Sequence, residues 1–237
     1  MSTIAYGQDT SAAAADYQKS VWLTASIGLL IATITALLFS HTPLAHIWVS
    51  NITADGHAHM NRWPTFLFIG VMFAALFGTF AVSKSAPAVQ FSVAAIFYIA
   101  SGGLLSIYPL IMPNVNLIMP VLAGFLVFGG AALFGHQTTR SLASMGRFCL
   151  MGLIAVIIMS IIAMVFHLGM LSLAVSVVSV IIFTGLTAAD TQRIKAHGEE
   201  SVGYSTNEYI GQVIGDSMNI YLDLINIIQD MIEIFNR

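Results

Sequence analysis

Six long apolar runs limit what this chain can fold into. They lie at residues 20–40, 64–83, 89–111, 117–135, 146–168 and 170–189. Each has about the 17 to 25 residues that a helix needs to cross a bilayer. Lipid offers no hydrogen-bond partners, so the backbone of such a run has to form its hydrogen bonds within a helix. Only 8% of the 237 residues are charged, whereas a soluble domain carries about 25%. We therefore expect a polytopic, all-α membrane protein.

The last 26 residues, from Gln212 to Arg237, predict a seventh helix of a different kind. Polar residues recur there at alternating spacings of four and three, which places them on one helix face. They are Gln212, Asp216, Asn219, Asp223, Asn226, Asp230, Glu233 and Arg237. A soluble surface helix conflicts with the apolar composition, and a helix lying on the membrane usually carries Lys and Arg on its polar face. We therefore expect a buried polar seam.

The positive charges predict the topology. Lys19, Lys84, Arg140, Arg147, Arg193 and Lys195 fall on one side of alternating spans, and Arg62 and Arg237 on the other. This excess predicts a cytoplasmic N-terminus, with the side of the C-terminus left open. Residues 1–19 form a polar cytoplasmic tail, expected to be disordered unless a partner binds it, and residues 20–237 a seven-helix membrane domain. His167 and Gly169 predict a tight turn between two antiparallel spans, and residues 190–212 a charged loop.

Enzyme and metal signatures do not occur. The chain has no His-Glu-x-x-His, no Gly-x-Ser-x-Gly and no phosphate loop, so no enzyme class is indicated. His41, His46, His57 and His59 share one loop but lack the spacing of a metal site on a helix. A net charge of −3 without a basic run argues against a nucleic-acid partner. No cofactor is therefore expected.

Ionisable groups at membrane depth are the candidates for function. Asp223 would cost about 2.5 to 3.5 kcal/mol facing lipid, so it needs a partner or water. Asp190 ends the sixth span, where water at the interface is the simpler interpretation. If the last helix packs on that span, the two carboxylates approach, share one proton and titrate as a unit. Lys84, at the end of the second span, is either a candidate latch for Asp190 or a marker of the positive side.

Two motifs carry a family resemblance. Phe183-Thr-Gly-Leu-Thr-Ala-Ala-Asp-Thr-Gln-Arg-Ile-Lys195 and Ile220-Tyr-Leu-Asp-Leu-Ile-Asn226 resemble the signatures of the Bax inhibitor family. Residues 134–148 and 104–108 are similar to further elements of bacterial members. The resemblance implies seven helices with the last one central, and a pH-sensitive calcium leak in which Asp190 and Asp223 form the proton-sharing pair. Lys84 stands where bacterial leak members have arginine.

The leading interpretation is a passive calcium leak in the bacterial inner membrane. Calcium takes six to eight oxygen ligands, which a polar seam can offer in series as weak sites. The expected ion path comprises Asp216, Asn219, Asn226, Asp230 and Glu233. The alternative is a regulatory membrane protein that binds and modulates a membrane-bound protease, with residues 2–20 as the place where that partner docks.

Overall fold

The computed structural model describes residues 2–52, 58–61, 63–111 and 117–236. Eight α-helices lie in these ranges. They are α1 (Ser2–His41), α2 (Trp63–Val82), α3 (Pro87–Leu105), α4 (Ile107–Ile111), α5 (Ile118–Gln137), α6 (Ala143–Val165), α7 (Gly169–Glu200) and α8 (Thr206–Phe235). Six of the long helices are apolar enough to cross a membrane, and α8 is a seventh long helix. The predicted all-α membrane fold is thereby confirmed.

The helix boundaries differ from prediction at two places. α1 begins at Ser2, so the segment predicted as a tail is helical, rather than disordered, as far as it is described. Four consecutive alanines, residues 12–15, have the highest helix propensity and favour a helix in this segment. α7 continues to Glu200 and α8 begins at Thr206, so the charged loop predicted at residues 190–212 was wrong. Only residues 201–205 separate the two helices.

The segment between α1 and α2 contains a small element that the sequence pattern did not reveal. A 3-10 helix, Pro43–Ile47, is followed by two antiparallel strands, β1 (Val49–Ile52) and β2 (Ala58–Met60). Trp48 lies between the 3-10 helix and β1. It is fully buried, and its indole N–H donates to Ser106 Oγ at 2.9 Å. This hydrogen bond satisfies the donor that a buried indole carries. His57, Arg62 and Arg237 lie outside the described residues.

The chain divides into two compact units. Unit 1 comprises Met1–Lys19, Val115–Val202 and Asn219–Arg237, and unit 2 comprises Ser20–Asn114 and Gly203–Met218. Both α1 and α8 therefore contribute one half to each unit. In unit 1, α6 and α7 are joined through His167, whose φ of 54° is left-handed. Gly152 faces Ile182 and Gly185 faces Cys149, which confirms the predicted antiparallel pairing of these spans.

The two kinds of long helix differ in their exposure. α6 has no charged residue beyond Arg147, and it exposes large apolar side chains that suit contact with lipid, including Leu150, Ile154, Ile158 and Ile161. α8 buries residues on several sides, including Ile214, Met218, Tyr221, Ile227 and Ile232. α8 is therefore shielded from lipid along most of its length. This shielding permits acidic residues at a depth where lipid would exclude them.

Candidate functional site

Within unit 1, α7 and the second half of α8 form a polar seam, named here the α7–α8 seam. Its side chains meet in antiparallel order. Thr187 is hydrogen-bonded to Asp223, Ser176 and Ser179 are hydrogen-bonded to Asp230, and the Ser172 hydroxyl donates to Glu233 Oε1 at 3.1 Å. Residue numbers thus fall along α7 as they rise along α8. Each acid of this half of α8 meets at least one hydroxyl of α7.

Asp223 is the most buried acid of the seam. Its side chain is 4% exposed, and its Oδ2 is inaccessible and has no hydrogen-bond partner. The charges of Asp190 and Arg193, both on α7, act on it. A carboxylate in such a place is costly unless it is paired or takes up a proton. The structure therefore brings together the two aspartates that the sequence singled out.

Asp190 forms an ion pair with Arg193 of the same helix. Arg193 Nη1 lies 3.2 Å from Asp190 Oδ1, one helical turn along α7, and the two side chains are 42% and 15% exposed. From the sequence, Arg193 was expected only to mark the topology. The signal that could have identified it is the spacing of three between an acid and a base on one helix. Asp190, Arg193 and Asp223 therefore form a charged triad.

Lys84 pairs with a different acid in this structure. Its Nζ lies 3.3 Å from Glu208 Oε1, with both side chains exposed. Glu208 Oε2 also accepts the Ser205 N–H at 3.2 Å and its hydroxyl at 2.9 Å. These hydrogen bonds from Ser205, followed by the Lys84 ammonium, hold the pKa of Glu208 below its usual value. The pairing of Lys84 with Asp190 stays a prediction.

Ser205 and Glu208 form a capping box at the start of α8. The Glu208 N–H donates to Ser205 Oγ at 3.4 Å, while the Glu208 carboxylate accepts from the Ser205 backbone N–H. This reciprocal arrangement satisfies two backbone donors at a helix N-terminus. The pattern Ser-x-x-Glu was readable in the sequence and would have moved the predicted start of α8 from residue 212 to residue 206.

The other residues of the predicted ion path differ in their surroundings. Asp216 is 2% exposed and lies in unit 2, and Asn219 is half-buried. Asn226 Nδ2 donates to Leu222 O of its own helix at 2.8 Å. Asp230 and Glu233 are half-buried, and Asp230 Oδ2 is inaccessible without a hydrogen-bond partner. Asp230 and Glu233 are thus the two path residues that share the α7–α8 seam with Asp223.

The hydroxyls of α7 were not predicted as part of the site. Residues 170–189 were treated as an apolar run, yet Ser172, Ser176, Ser179, Thr187 and Thr191 recur there and just beyond at spacings of 4, 3, 8 and 4. Such spacings place them on one face. The last four are buried. Hydroxyls at helical spacing on an apolar span are typical of a surface that bonds a neighbouring helix in the membrane.

The seam is an open series of oxygen atoms. Among the residues that the structure describes, no three His, Cys, Asp or Glu side chains are grouped so that they could hold a metal ion. Carboxyl and amide oxygens of α8 and hydroxyl oxygens of α7 instead follow one another along the seam. Such a series can coordinate a hard cation partially and successively.

These features define a multi-pass helical membrane protein with a carboxylate pair between its last two long helices. Residues 14–237 match the family described as inhibitor of apoptosis-promoting Bax1. The chain belongs to the Bax inhibitor family.

Three relatives illustrate the range of similarity. An uncharacterized protein of Rickettsia prowazekii is 40% identical over 104 residues, 43% of this chain and 42% of that protein. The inner membrane protein YbhL of Escherichia coli K12 is 33% identical over 111 residues, 47% of each chain. An uncharacterized membrane protein of Streptococcus pyogenes is 30% identical over 159 residues, 66% of this chain and 67% of that protein. The chain thus matches less than half the length of the first two.

Proposed function

We propose that this protein is a pH-sensitive calcium leak of the bacterial inner membrane, in which Asp190 and Asp223 share a proton. The observation that carries the proposal is the burial of Asp223 beside Asp190 with one carboxyl oxygen unpartnered. With both acids ionised, two negative charges face the single positive charge of Arg193, a net charge of −1. One proton makes the triad neutral. A buried site favours that neutral state.

Asp223 is the member of the pair that holds the proton in this proposal. Asp190 has the Arg193 guanidinium at 3.2 Å and is more exposed, so its ionised form is the better stabilised of the two. Asp223 has no cation within its own helix turn and is surrounded by apolar residues such as Ile220 and Ile227. Release of the proton leaves an uncompensated charge next to Asp190, and their repulsion is the force that alters the packing of α7 on α8.

Calcium is the proposed ion because of the ligands that the seam offers. Asp223, Asp230 and Glu233 contribute carboxyl oxygens, and Ser172, Ser176, Ser179 and Thr187 contribute hydroxyls. Calcium accepts such mixed oxygen ligands in irregular geometry, while magnesium demands a regular octahedron. Within unit 1, the proposed path continues through Asn226 and Asn219 of α8. Weak sites in series let an ion enter and leave.

We propose that the protein lies in the inner membrane with its N-terminus in the cytoplasm. The proposed leak involves no catalytic step. Support comes from the excess of Lys and Arg on one side of the predicted spans and from the inner-membrane relative of Escherichia coli.

The test is calcium flux into vesicles containing the purified protein, followed with a trapped indicator at a series of pH values, because a coupled carboxylate pair titrates as a unit. Asp223→Asn keeps the shape but removes the titration, so flux should lose most of its pH dependence, and Asp190→Asn should do the same. Glu199→Gln, an exposed acid on α7, is the matched control and should keep the wild-type profile. Unchanged profiles in both aspartate variants would refute the shared proton. An absence of flux at every pH would refute the leak itself.

A further inference from the structure

An exposed apolar stripe on α6 leads to an arginine near the start of the helix. Met151, Ile154 and Ile158 follow Arg147 at spacings of 4, 3 and 4, so the four side chains share one helix face. The three apolar side chains are more than half exposed, and Arg147 is exposed as well. This face therefore offers an apolar surface to an acyl chain and, at the end of that surface, a guanidinium group.

A second arginine lies on the loop before α6. Arg140 precedes Leu142, the N-cap of α6, by two residues and is exposed. Its guanidinium forms no hydrogen bond or ion pair with any residue that the structure describes. Arg147 Nη2 donates to the hydroxyl of Ser144 at 3.4 Å, and residues 134–148 contain no acid. Two positive charges therefore lie near one end of α6 on a segment that has no carboxylate of its own.

The loop that carries Arg140 is fixed by Gln192 of α7. The side-chain N–H of Gln192 donates to Arg140 O at 2.9 Å, and its Oε1 accepts the Leu142 N–H at 2.7 Å. The start of α6 also packs closely on α7, since a Cβ at Gly146 would lie 3.0 Å from the Cβ of Ala189. The backbone that presents both arginines is thus already held in place, and a preorganised site loses less entropy when it binds a ligand.

We propose that Arg140 and Arg147 bind the phosphate of an anionic phospholipid whose acyl chain lies along Met151, Ile154 and Ile158. A guanidinium group matches a phosphate with paired N–H donors, and basic groups at the ends of membrane helices attract anionic headgroups. The two positive charges favour phosphatidylglycerol, which carries a net negative charge, over phosphatidylethanolamine, whose ammonium group they repel. The site shares no residue with the α7–α8 seam and does not depend on the proposed calcium leak.

The experiment is native mass spectrometry of the purified, delipidated protein with phosphatidylglycerol or phosphatidylethanolamine added at equal concentrations. The wild type should bind phosphatidylglycerol more tightly. The double variant Arg140→Gln, Arg147→Gln should lose this preference, with a decrease in affinity of about fivefold for each arginine removed.

A third variant separates a built site from general attraction by charge. Gln192→Met keeps both arginines and the net charge but releases the loop, so it should lower the affinity for phosphatidylglycerol by a smaller factor than the double variant does. All variants are first checked for wild-type thermal stability in detergent. The double variant changes only exposed side chains, so it tests the site even where Gln192→Met is unstable.

Lys195→Gln is the matched control. Lys195 is also an exposed cation beyond the end of a span, but Thr191 and Ala188, one and two turns before it, are buried. No exposed apolar stripe leads to this lysine, so its substitution should leave the affinity for phosphatidylglycerol unchanged. An equal loss in Lys195→Gln would overturn the proposal, because the lipid would then respond to total charge alone. Wild-type affinity in the double variant, or equal binding of the two lipids by the wild type, would also overturn it.

Discussion

The two halves of α8 carry one polar face but use it differently. The first half, residues 206–218, belongs to unit 2, and the second half, from Asn219 onward, belongs to unit 1. In the first half the described polar contacts are mostly neutral hydrogen bonds that hold the helix in place. In the second half they are carboxyl groups that face the hydroxyls of α7 and a second carboxylate.

The first half is attached to the turn between α2 and α3. Gln90 is 1% exposed, and its Nε2 lies 2.8 Å from Ser85 O, 3.1 Å from Ser83 O and 3.1 Å from Asn207 O. Asn207 Nδ2 in turn donates to Lys84 O at 3.4 Å. Gly211 lies so close to Ser83 that a Cβ there would be 2.5 Å from the Ser83 carbonyl oxygen. One buried amide thus joins the turn to the first turn of α8.

Further along this half, two tyrosines form hydrogen bonds to serines. The hydroxyls of Tyr209 and Ser20 are 3.2 Å apart, and those of Tyr98 and Ser217 are also 3.2 Å apart. All four of these groups are hydroxyls, and none is a carboxylate. The contrast with Asp223, Asp230 and Glu233 shows that a regular polar stripe can combine an anchoring segment with an acidic one. Spacing alone does not distinguish them, because the distinction depends on which helix each residue meets.

The largest expected effect on stability concerns Gln90. Gln90→Met fills a similar volume but leaves the carbonyls of Ser83, Ser85 and Asn207 without their shared donor. Loss of a buried donor costs about 1 to 3 kcal/mol, and removal of the unpartnered Gln90 Oε1 offsets part of it. Thermal unfolding in detergent should show the loss, while the pH profile of calcium flux keeps its shape. Gln137→Met, at an exposed helix end, should leave stability unchanged.

A changed pH profile of calcium flux in Gln90→Met would contradict the distinction between the two halves of α8, since the first half would then contribute to proton sensing.

The second prediction compares two cations, Arg193 and Lys84, by their effect on the pH profile of calcium flux. Arg193→Gln leaves Asp190 and Asp223 without a positive neighbour in the triad, so the shared proton should be held to higher pH. A cation within about 4 to 6 Å moves a carboxyl titration by 1 to 3 units, and the partial exposure of Arg193 places the expected shift near 1 unit, at the low end. Lys84→Gln, which removes a charge paired with Glu208, should leave the flux profile in place.

Equal shifts in the Arg193 and Lys84 variants would contradict this division. They would favour instead the latch between Lys84 and Asp190 that the sequence analysis considered.

The smallest effect concerns Glu208. Its pKa lies below the usual value, because of the hydrogen bonds from Ser205 and then the charge of Lys84. A depressed pKa in the folded state adds stability that is present above the ordinary pKa and is lost as pH falls through the folded one. Glu208→Gln should therefore flatten the fall of the melting temperature below about pH 4.5, with Glu199→Gln as control. A melting curve that keeps its full acid dependence would show that the capping box contributes nothing.

The spans and the burial of Asp223 were predictable because each rests on a local property, whereas its pairing with Asp190 was expected from the family resemblance. A run such as residues 146–168 is long and apolar whatever surrounds it, and Asp223 on a buried helix needs a partner in any fold. The partners were not predictable in the same way. Thr187 and Arg193 were visible in the sequence, but nothing local shows that their face of α7 meets Asp223 rather than lipid.

The anchoring contacts could not be predicted because they join distant parts of the chain. Gln90 and Asn207 are 117 residues apart, and Lys84 and Glu208 are separated by a similar length. A single sequence offers no periodicity that relates such positions. The boundary of α8 is a different case, since the Ser-x-x-Glu pattern at Ser205 is local and could have been recognised.

The short turn at His167 has a consequence for how the protein is made. Since α6 and α7 are separated by only three residues and pack antiparallel, we expect them to enter the membrane as one hairpin during synthesis. Because synthesis proceeds from the N-terminus, Thr187, Asp190 and Arg193 leave the ribosome before any residue of α8. We therefore expect the acids of α8 to meet the hydroxyls of α7 as α8 joins the bundle, so that Asp223 is not exposed to lipid.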